Sequence, residues 1–275
     1  KVCILDHNKQ KYTWSDYIKA AIEISSSLNK LNLEASEKVL IVCQNKLKFF
    51  FIALSCIYSN LTFIPYYLKN LDDDIQIIYN VIIDQKCNVI FSDDLELLKK
   101  INLNSDLNSK EKKIINKISK LNKIYTLNDN NTELNNNNLK FYDWNTFINL
   151  SNEEYISPVK NNLNQVVFTL CSYKLLSKED ICYIQFTEEQ INDQIDLLLG
   201  NYGFSNESLI SFFPLSNIIT ILFDFFLHFK SNSLVYLINT LNILNGDLLI
   251  KVFKEVRPTV LYLVPYLWFT LKDRI

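Results

Sequence analysis

Glycine, histidine and methionine are among the scarcest residues of this 275-residue sequence, which contains three glycines, two histidines and no methionine. The two histidines, His7 and His228, lie too far apart in the chain to suggest a histidine-based zinc cluster or proton relay. The six cysteines show no CxxC spacing, and several lie in apolar runs, where a free thiol behaves as a small hydrophobic group. We therefore expect free thiols, a reducing compartment and no metal site.

Charge of neither sign dominates the sequence. Lys and Arg number 28, Asp and Glu number 30, and the net charge of -2 gives no basic surface of the kind that nucleic acid requires. Two apolar stretches, residues 47–67 and 209–229, approach the length of a membrane span, but Pro65 and Asp224 interrupt them. We expect both stretches to be buried parts of a globular core, and we expect no nucleic-acid partner.

Short β-branched runs alternate with helical patterns along the chain. The runs predict strands at residues 38–43, 61–64, 88–91, 165–169, 181–186, 209–213, 233–237 and 259–263. The patterns predict helices at residues 12–31, 46–58, 72–83, 187–199 and 247–256, with Thr13 and Asp72 among the capping residues. Repeated β-α-β units predict an α/β fold with doubly wound, largely parallel sheets and helices on both faces.

Composition divides the chain into three parts. Residues 1–101 form the first α/β subdomain part, residues 102–140 form a Lys- and Asn-rich insertion or connecting loop, and residues 141–275 form a second α/β subdomain part. The sequence starts at Lys1 and stops at Ile275 inside a helical pattern. We therefore expect that both ends are cut and that the second part is truncated.

Three separated blocks carry a resemblance to a known family. The first is Tyr12-Thr13-Trp14 followed by residues 37–42 and Asn45, and the second is residues 208–217, which read SLISFFPLSN. The third is residues 244–274, which read LNGDLLIKVFKEVRPTVLYLVPYLWFTLKDR. In this order they resemble acyl-CoA synthetases of the adenylate-forming, AMP-binding superfamily, most closely the long-chain and bubblegum-like fatty acid-CoA ligases. The resemblance implies the N-terminal part of an adenylate-forming enzyme.

The resemblance also implies a phosphate-binding loop after the strand end Val166-Val167-Phe168-Thr169, but the sequence departs from it there. The family builds this loop from Ser, Thr, Gly and a lysine, whereas residues 170–180 contain no glycine. The residues that remain able to contact ATP phosphates are Thr169, Ser172, Lys174, Ser177 and Lys178. Because a phosphate nest usually needs positive φ angles that only glycine adopts cheaply, we expect a degenerate loop that binds ATP weakly.

The candidate acyl-binding residues come from the second block. They are Phe212, Phe213 and Asn217, and the last stands where the family has a histidine. Tyr266 likewise stands where an arginine follows Val-Pro in the family. The family's later motifs, which hold adenine, ribose and a catalytic lysine, have no counterpart before Ile275, so we assign no catalytic and no metal-binding residue.

The family's reaction is ATP-dependent acyl adenylation followed by thioesterification to CoA. The resemblance therefore implies ATP, magnesium and CoA as cofactors and co-substrate, and a fatty acid or other small carboxylic acid as the partner. Because the loop is degenerate and half of the motifs are missing, we expect this chain alone to be inactive. The alternative is a catalytically dead pseudoenzyme that serves as a binding or scaffold module. Both interpretations predict a cytoplasmic protein and leave peripheral association with an intracellular membrane and the number of subunits open.

Overall fold

The computed structural model describes residues 1–44, 46–102, 123–127, 141–151, 163–174, 177–238 and 246–272. The strands, in chain order, are β1 (Val2–Leu5), β2 (Lys11–Thr13), β3 (Lys38–Val42), β4 (Thr62–Tyr66), β5 (Val89–Ser92), β6 (Lys123–Thr126), β7 (Phe141–Tyr142), β8 (Val166–Lys174), β9 (Ser177–Thr187), β10 (Ser208–Ser211) and β11 (Leu234–Leu237). The helices are α1 (Trp14–Asn29), α2 (Lys46–Tyr58), α3 (Leu71–Asp84), α4 (Leu95–Asn102), α5 (Trp144–Ile148), α6 (Glu188–Tyr202), α7 (residues 218–230), α8 (Gly246–Val256) and α9 (Pro265–Lys272).

Helix α7 changes its hydrogen-bonding pattern along its length. It begins as the α-helical turn Ile218–Thr220, continues as the π-helix Ile221–Leu227 and ends as the α-helical turn His228–Lys230. In a π-helix each N–H bonds to the carbonyl five residues back. Such segments are rare overall, and many of those known lie at functional sites.

The chain forms two compact units. One contains Lys19–Glu188, and the other combines Lys1–Ile18 with Glu189–Ile275. The first unit carries a seven-stranded sheet in the order β7-β6-β5-β3-β4-β8-β9, in which only the β8–β9 pair is antiparallel. The second carries a four-stranded sheet in the order β10-β11-β1-β2, with β1 and β2 antiparallel. The predicted α/β class with largely parallel sheets is confirmed.

Strand β3 shows why the central strands form where they do. Its residues Val39, Leu40, Ile41 and Val42 are all buried, because β4 and β5 flank it and the sheet has helices against it. On one face, helices α3 and α4 pack on the even-numbered side chains of β3, β4 and β5. A strand covered on both faces is hydrophobic throughout rather than alternating, which is the pattern the sequence shows.

Asparagine occupies several positions with a positive φ angle, where glycine is the usual residue. Positive φ angles occur at Asn32, Asn60, Asn206 and Asn232; Asn32, Asn60 and Asn232 lie in turns that follow a helix, and Asn206 lies in a bend before β10. Asn adopts the left-handed region more readily than other residues with a side chain, because its short amide bonds locally. A chain with three glycines can therefore still make short connections between strands and helices.

Several sequence predictions need correction. Residues 259–263 are not a strand: the segment follows Pro258, and Ser208 O of β10 accepts from the N–H groups of both Thr259 and Val260 rather than from alternate residues of a ladder. Helix α3 begins at Leu71 and is capped by Asn70, whose side chain accepts from the N–H of Asp72. The cap therefore lies two residues before the predicted Asp72.

Other predictions agree with the structure or miss parts of it. The predicted cap at Thr13 is confirmed, because its hydroxyl accepts from the N–H of Asp16 while the Asp16 carboxylate accepts from the N–H of Thr13. Strands β1 and β2 were not predicted. Strand β6 lies inside the predicted insertion at 102–140 and pairs with β5, and the rest of that insertion, apart from residue 102 and Leu127, lies outside the described residues. The boundaries 1–101, 102–140 and 141–275 stay a prediction.

Candidate functional site

The segment predicted as a phosphate-binding loop is a β-hairpin. Strand β8 continues past Thr169 to Lys174, and β9 starts at Ser177, so only residues 175 and 176 lie between the paired strands. The register pairs Thr169 with Gln185 and continues without interruption to Tyr173 opposite Ile181. The predicted loop is therefore wrong for most of its length: without a glycine to end the strand, Leu, Cys, Tyr and Ile side chains continue the β structure.

The hairpin has a direct consequence for phosphate binding. In an antiparallel ladder the backbone N–H groups alternate between the two edges of the strand, and those facing the partner strand bond to its carbonyl groups. A phosphate nest instead needs successive N–H groups that converge through turned or left-handed backbone. Within the described part of this segment no residue has a positive φ. The backbone of residues 169–174 therefore does not fit an ATP phosphate.

The hydroxyl side chains of this segment do not converge either. Thr169 is completely buried, and its hydroxyl has no hydrogen-bond partner among the described residues. Ser172, three positions further along the same strand, is exposed. Because side chains alternate along a strand, Thr169 and Ser172 lie on opposite faces of the sheet. The side chains of Lys174, Ser177 and Lys178 lie outside the described part of the structure.

The predicted acyl-binding residues lie in the other compact unit, directly after β10. Phe212 is completely buried and Phe213 is half-buried, with their ring centroids 4.4 Å apart. Both rings stack on Tyr262, at centroid distances of 5.9 Å from Phe212 and 5.8 Å from Phe213. Phe223 of helix α7 lies against the same Tyr262 ring at 5.2 Å. These four rings form an aromatic cluster, which we call the Tyr262 cluster.

Asn217, the third predicted acyl-pocket residue, has a structural task. It is the N-cap of helix α7, and its side-chain oxygen accepts a hydrogen bond from the N–H of Ile219 at 2.9 Å. Asn is one of the preferred N-cap residues, since its side chain satisfies an N–H that the helix itself leaves unpaired. The carboxamide oxygen of Asn217 is thus engaged by the helix, which leaves its amide nitrogen as the group available to a ligand.

Sequence reasoning missed a buried polar group beside the Tyr262 cluster. Thr220 and Asp224, one helical turn apart on α7, are both completely buried. The Tyr262 hydroxyl lies near both of them, and burial together with the Asp224 carboxylate holds the pKa of the Tyr262 phenol well above its usual value. The sequence did contain one sign of this group, because Asp224 is the single acid in the apolar run 218–229. Sequence reasoning used it only as an indication that this run does not span a membrane.

Among the described residues, no group of three or more His, Cys, Asp and Glu side chains is placed to hold a metal ion. In the same part of the chain every helix is too short or too polar to cross a bilayer. The six cysteines are free thiols, with Cys171 and Cys182 half-buried and the others buried.

The two sheets and the position of the hairpin define the class of protein. A parallel α/β unit followed by a strand, β10, that leads into the Phe-Phe-Pro-Leu-Ser segment at 212–216 is the arrangement expected from the resemblance to adenylate-forming enzymes. Residues 1–187 match the AMP-binding enzyme family. The chain belongs to this family, since the match covers more than half of its length. No curated protein matches the chain by sequence.

Solved structures give the same fold at low identity. The ATP-bound MatB of Rhodopseudomonas palustris aligns over 98% of this chain with a TM-score of 0.74 and 12% identity. A protein provisionally named long-chain-fatty-acid CoA ligase from Rhodopseudomonas palustris CGA009 aligns over 100% of this chain with a TM-score of 0.76 and 12% identity. The o-succinylbenzoate CoA synthetase MenE of Bacillus subtilis, in complex with the acyl-adenylate OSB-AMP, aligns over 100% with a TM-score of 0.68 and 11% identity.

The chain spans only part of these proteins. It covers 48% of the MatB chain, 62% of the Rhodopseudomonas palustris CGA009 chain and 61% of the MenE chain. Identities of 11–12% show a shared fold.

Proposed function

We propose that this chain binds a fatty acid or another small carboxylic acid, as the N-terminal part of a fatty acid-CoA ligase-like protein, and that it does not adenylate the acid by itself. In a complete enzyme of this kind, acid, ATP and CoA give acyl-CoA, AMP and pyrophosphate. Family membership supports the acid as ligand, and so does the MenE relative, which holds an acyl-adenylate. ATP, magnesium and CoA belong to this proposal only through the longer protein.

The β8–β9 hairpin is the observation that carries the inactive part of the proposal. Attack of a carboxylate on the α-phosphate needs fixed hydrogen-bond donors and positive charge around the phosphate oxygens. The hairpin uses its backbone in a ladder from Thr169 to Tyr173, and Thr169 and Ser172 lie on opposite faces. These residues do not fit an ATP phosphate, so no step of the reaction is assigned to them.

The Tyr262 cluster supports the acid-binding part. Phe212, Phe213, Phe223 and Tyr262 present aromatic carbon, which suits a hydrocarbon chain because apolar contact surface is released from water on binding. Asn217, four residues after Phe213, supplies an amide next to the same helix start. The roles in acyl binding that the sequence predicts for Phe212, Phe213 and Asn217 are part of this proposal.

Acid binding and adenylation are tested by two assays on the same protein. Isothermal titration with saturated fatty acids of several chain lengths measures acid binding, and acid-dependent exchange of labelled pyrophosphate into ATP measures adenylation. We expect saturable binding of at least one fatty acid and no exchange above the protein-free control. Exchange that depends on acid and magnesium would contradict the inactive part, and absence of any acid binding would contradict the binding part.

A second candidate is a pseudoenzyme that serves as a binding or scaffold module, and the same hairpin favours it. The two candidates differ in what the longest native form of the protein does in the exchange assay. Activity in that form identifies a ligase whose N-terminal part is described above, whereas acid binding without nucleotide binding identifies the module. The cytoplasmic location and the peripheral membrane association stay predictions, to be measured by fractionation of cells that express the native protein.

A further inference from the structure

Strand β9 is the longest edge strand of the two sheets. It ends the order of the seven-stranded sheet and has 11 residues, whereas the other edge strands β7, β10 and β2 have two, four and three residues. Residues 181–186 of β9 make no backbone-to-backbone hydrogen bond with a described residue outside β8. Alternate residues of an antiparallel strand point their N–H and C=O groups away from the partner strand, so β9 presents a row of such groups on its outer side.

The sequence of β9 lacks the features that usually protect an edge strand. Residues 181–187 read ICYIQFT and contain no charge, proline or glycine, and the Ile184 side chain is 47% exposed. Natural edge strands are commonly short, or carry charged residues or proline along their length, which keeps other strands from adding to them. A long uncharged edge of β-branched and aromatic residues instead favours the addition of another strand.

The charges at the two ends of β9 indicate which strand fits. Lys178, Glu179 and Asp180 stand at its start, and Glu188 and Glu189 follow its end. A parallel, in-register copy of β9 would place each charge beside itself, which is unfavourable. In an antiparallel copy the ends exchange, so that position 178, a lysine, can stand opposite position 188, a glutamate.

Symmetry and charge together select one register for such a copy. Hydrogen-bonded and non-hydrogen-bonded pairs alternate along an antiparallel ladder, so a two-fold axis must pass through a pair formed by the same residue of both copies. An axis at Tyr183 pairs position 178 with position 188, whereas an axis at Ile184 pairs the acids at 179 and 180 with those at 189 and 188. An axis at Cys182 brings no opposite charges together. The register centred on Tyr183 is therefore the one with complementary charge.

We propose that β9 pairs antiparallel with β9 of a second copy of this chain, about a two-fold axis at Tyr183, so that the two seven-stranded sheets join into one. In this register Ile184 stands opposite Cys182 of the partner subunit, and its exposed side chain gains a cross-strand neighbour. The joined sheet ends at both sides in the two-residue β7, so the assembly closes as a dimer and does not continue as a fibre. The dimer does not depend on the proposed binding of an acid.

Sedimentation equilibrium over a wide range of protein concentration tests this dimer, since the monomer has a mass of 32.3 kDa. We expect a reversible equilibrium between monomer and dimer, because one pair of strands forms a small interface. Ile184→Glu should weaken the dimer about tenfold, since symmetry places two acids in the joined ladder, each next to Asp180 of the partner subunit. Leu197→Glu is the matched control, because it makes the same change at a 58% exposed position of α6 and should leave the dimer unchanged.

A disulfide tests the register. Opposite residues of an antiparallel pair have Cα atoms about 4.5–5.5 Å apart, which is within the range that a disulfide spans. Ile184→Cys should therefore form a covalent dimer with Cys182 of the partner subunit when added diamide oxidises the two thiols. Leu197→Cys and the wild type should stay free of this crosslink, and mass spectrometry of the linked peptides identifies the paired positions.

The outcomes separate this inference from the proposed function. A monomer at every concentration overturns the dimer, and so does a dimer that Ile184→Glu leaves as tight as in the wild type. A wild-type disulfide between the two copies of Cys182 overturns the axis at Tyr183. Each of these results leaves the acid-binding function standing, because titration with fatty acids measures that function independently.

Discussion

His228 shows how a single buried residue links stability to pH. Its ring is completely buried in helix α7 and stacks on Trp14 at a centroid distance of 4.7 Å. Desolvation in the core lowers the pKa of His228 from its ordinary value of about 6.5 to about 3. Between these values the unfolded chain binds a proton that the folded chain excludes, so the free energy of unfolding should fall as the pH is lowered from about 6.5 towards 3.

The prediction concerns the slope of stability between pH 7 and pH 5. His228 contributes to this slope by as much as about 1.4 kcal/mol per pH unit below pH 6.5, and His228→Leu should remove that contribution. Urea unfolding at several pH values measures it. His7→Gln, at an exposed turn position, is the control and should keep the wild-type slope. An unchanged slope in His228→Leu would contradict the burial of a neutral imidazole.

The hairpin residues give a second prediction at this scale. Ser172→Ala and Lys174→Ala should each change the affinity for an ATP analogue less than tenfold, or about 1.4 kcal/mol, because the extended backbone does not form a phosphate nest. Fluorescence titration with a labelled ATP analogue in the presence of magnesium measures this. A larger loss for either variant would show that the segment binds phosphate despite its strand conformation.

Residue types were easier to predict from the sequence than their tasks. Asn217 was selected as a ligand-binding residue because it stands at a family position, yet its oxygen caps helix α7. Thr220 and Tyr262 were not selected, because a hydroxyl in an apolar run gives no sign of which buried neighbour it faces. That information depends on how α7 and the segment after Pro258 pack, which a local pattern does not contain.

At the scale of the element, the start of helix α3 can be tested directly. Asn70 accepts from the N–H of Asp72 with its side chain, so Asn70→Ala should reduce the free energy of unfolding by about 1 kcal/mol. Asp72→Ala should cost less, since Asp72 is exposed and its ion pair with Lys100 is at the surface. Chemical denaturation of both variants measures the difference. A larger loss of unfolding free energy for Asp72→Ala than for Asn70→Ala would show that Asp72 is the cap, as the sequence predicted.

The hairpin shows where sequence reasoning about elements succeeds and where it fails. Both strands were predicted in their cores, at 165–169 and 181–186, because those residues are apolar and β-branched or aromatic. Their extension towards each other was not predicted, since the family resemblance placed a loop there. Pairing between strands stabilises residues such as Ser172 in β structure, and this pairing energy is not visible in either strand alone.

At the scale of the whole molecule, residues from both ends of the described chain build one sheet. Ile4 is completely buried on β1, where it is paired with Val235 of β11 and with Tyr12 of β2. Truncation of a buried Ile to Ala costs about 2–5 kcal/mol through lost contacts and the cavity left behind. Ile4→Ala should therefore destabilise the whole unit that contains β10 and β11, although these strands are distant in sequence.

Hydrogen exchange followed by mass spectrometry measures this effect. In Ile4→Ala, amides of β11 should exchange faster than in the wild type, whereas Lys11→Ala, an exposed change on β2, should leave them protected. Unchanged protection of β11 in Ile4→Ala would show that β1 is not part of the cooperative unit.

This sheet also sets an order of events during synthesis. Strand β1 leaves the ribosome before its parallel partner β11, and all seven strands of the other sheet are made between them. Residues 19–188 can therefore fold while the β1–β2 pair still lacks β11, and the exposed edge of β1 must stay unpaired or be held by a chaperone until residues 234–237 emerge. Long separation between paired strands slows folding, so we expect this second unit to form last.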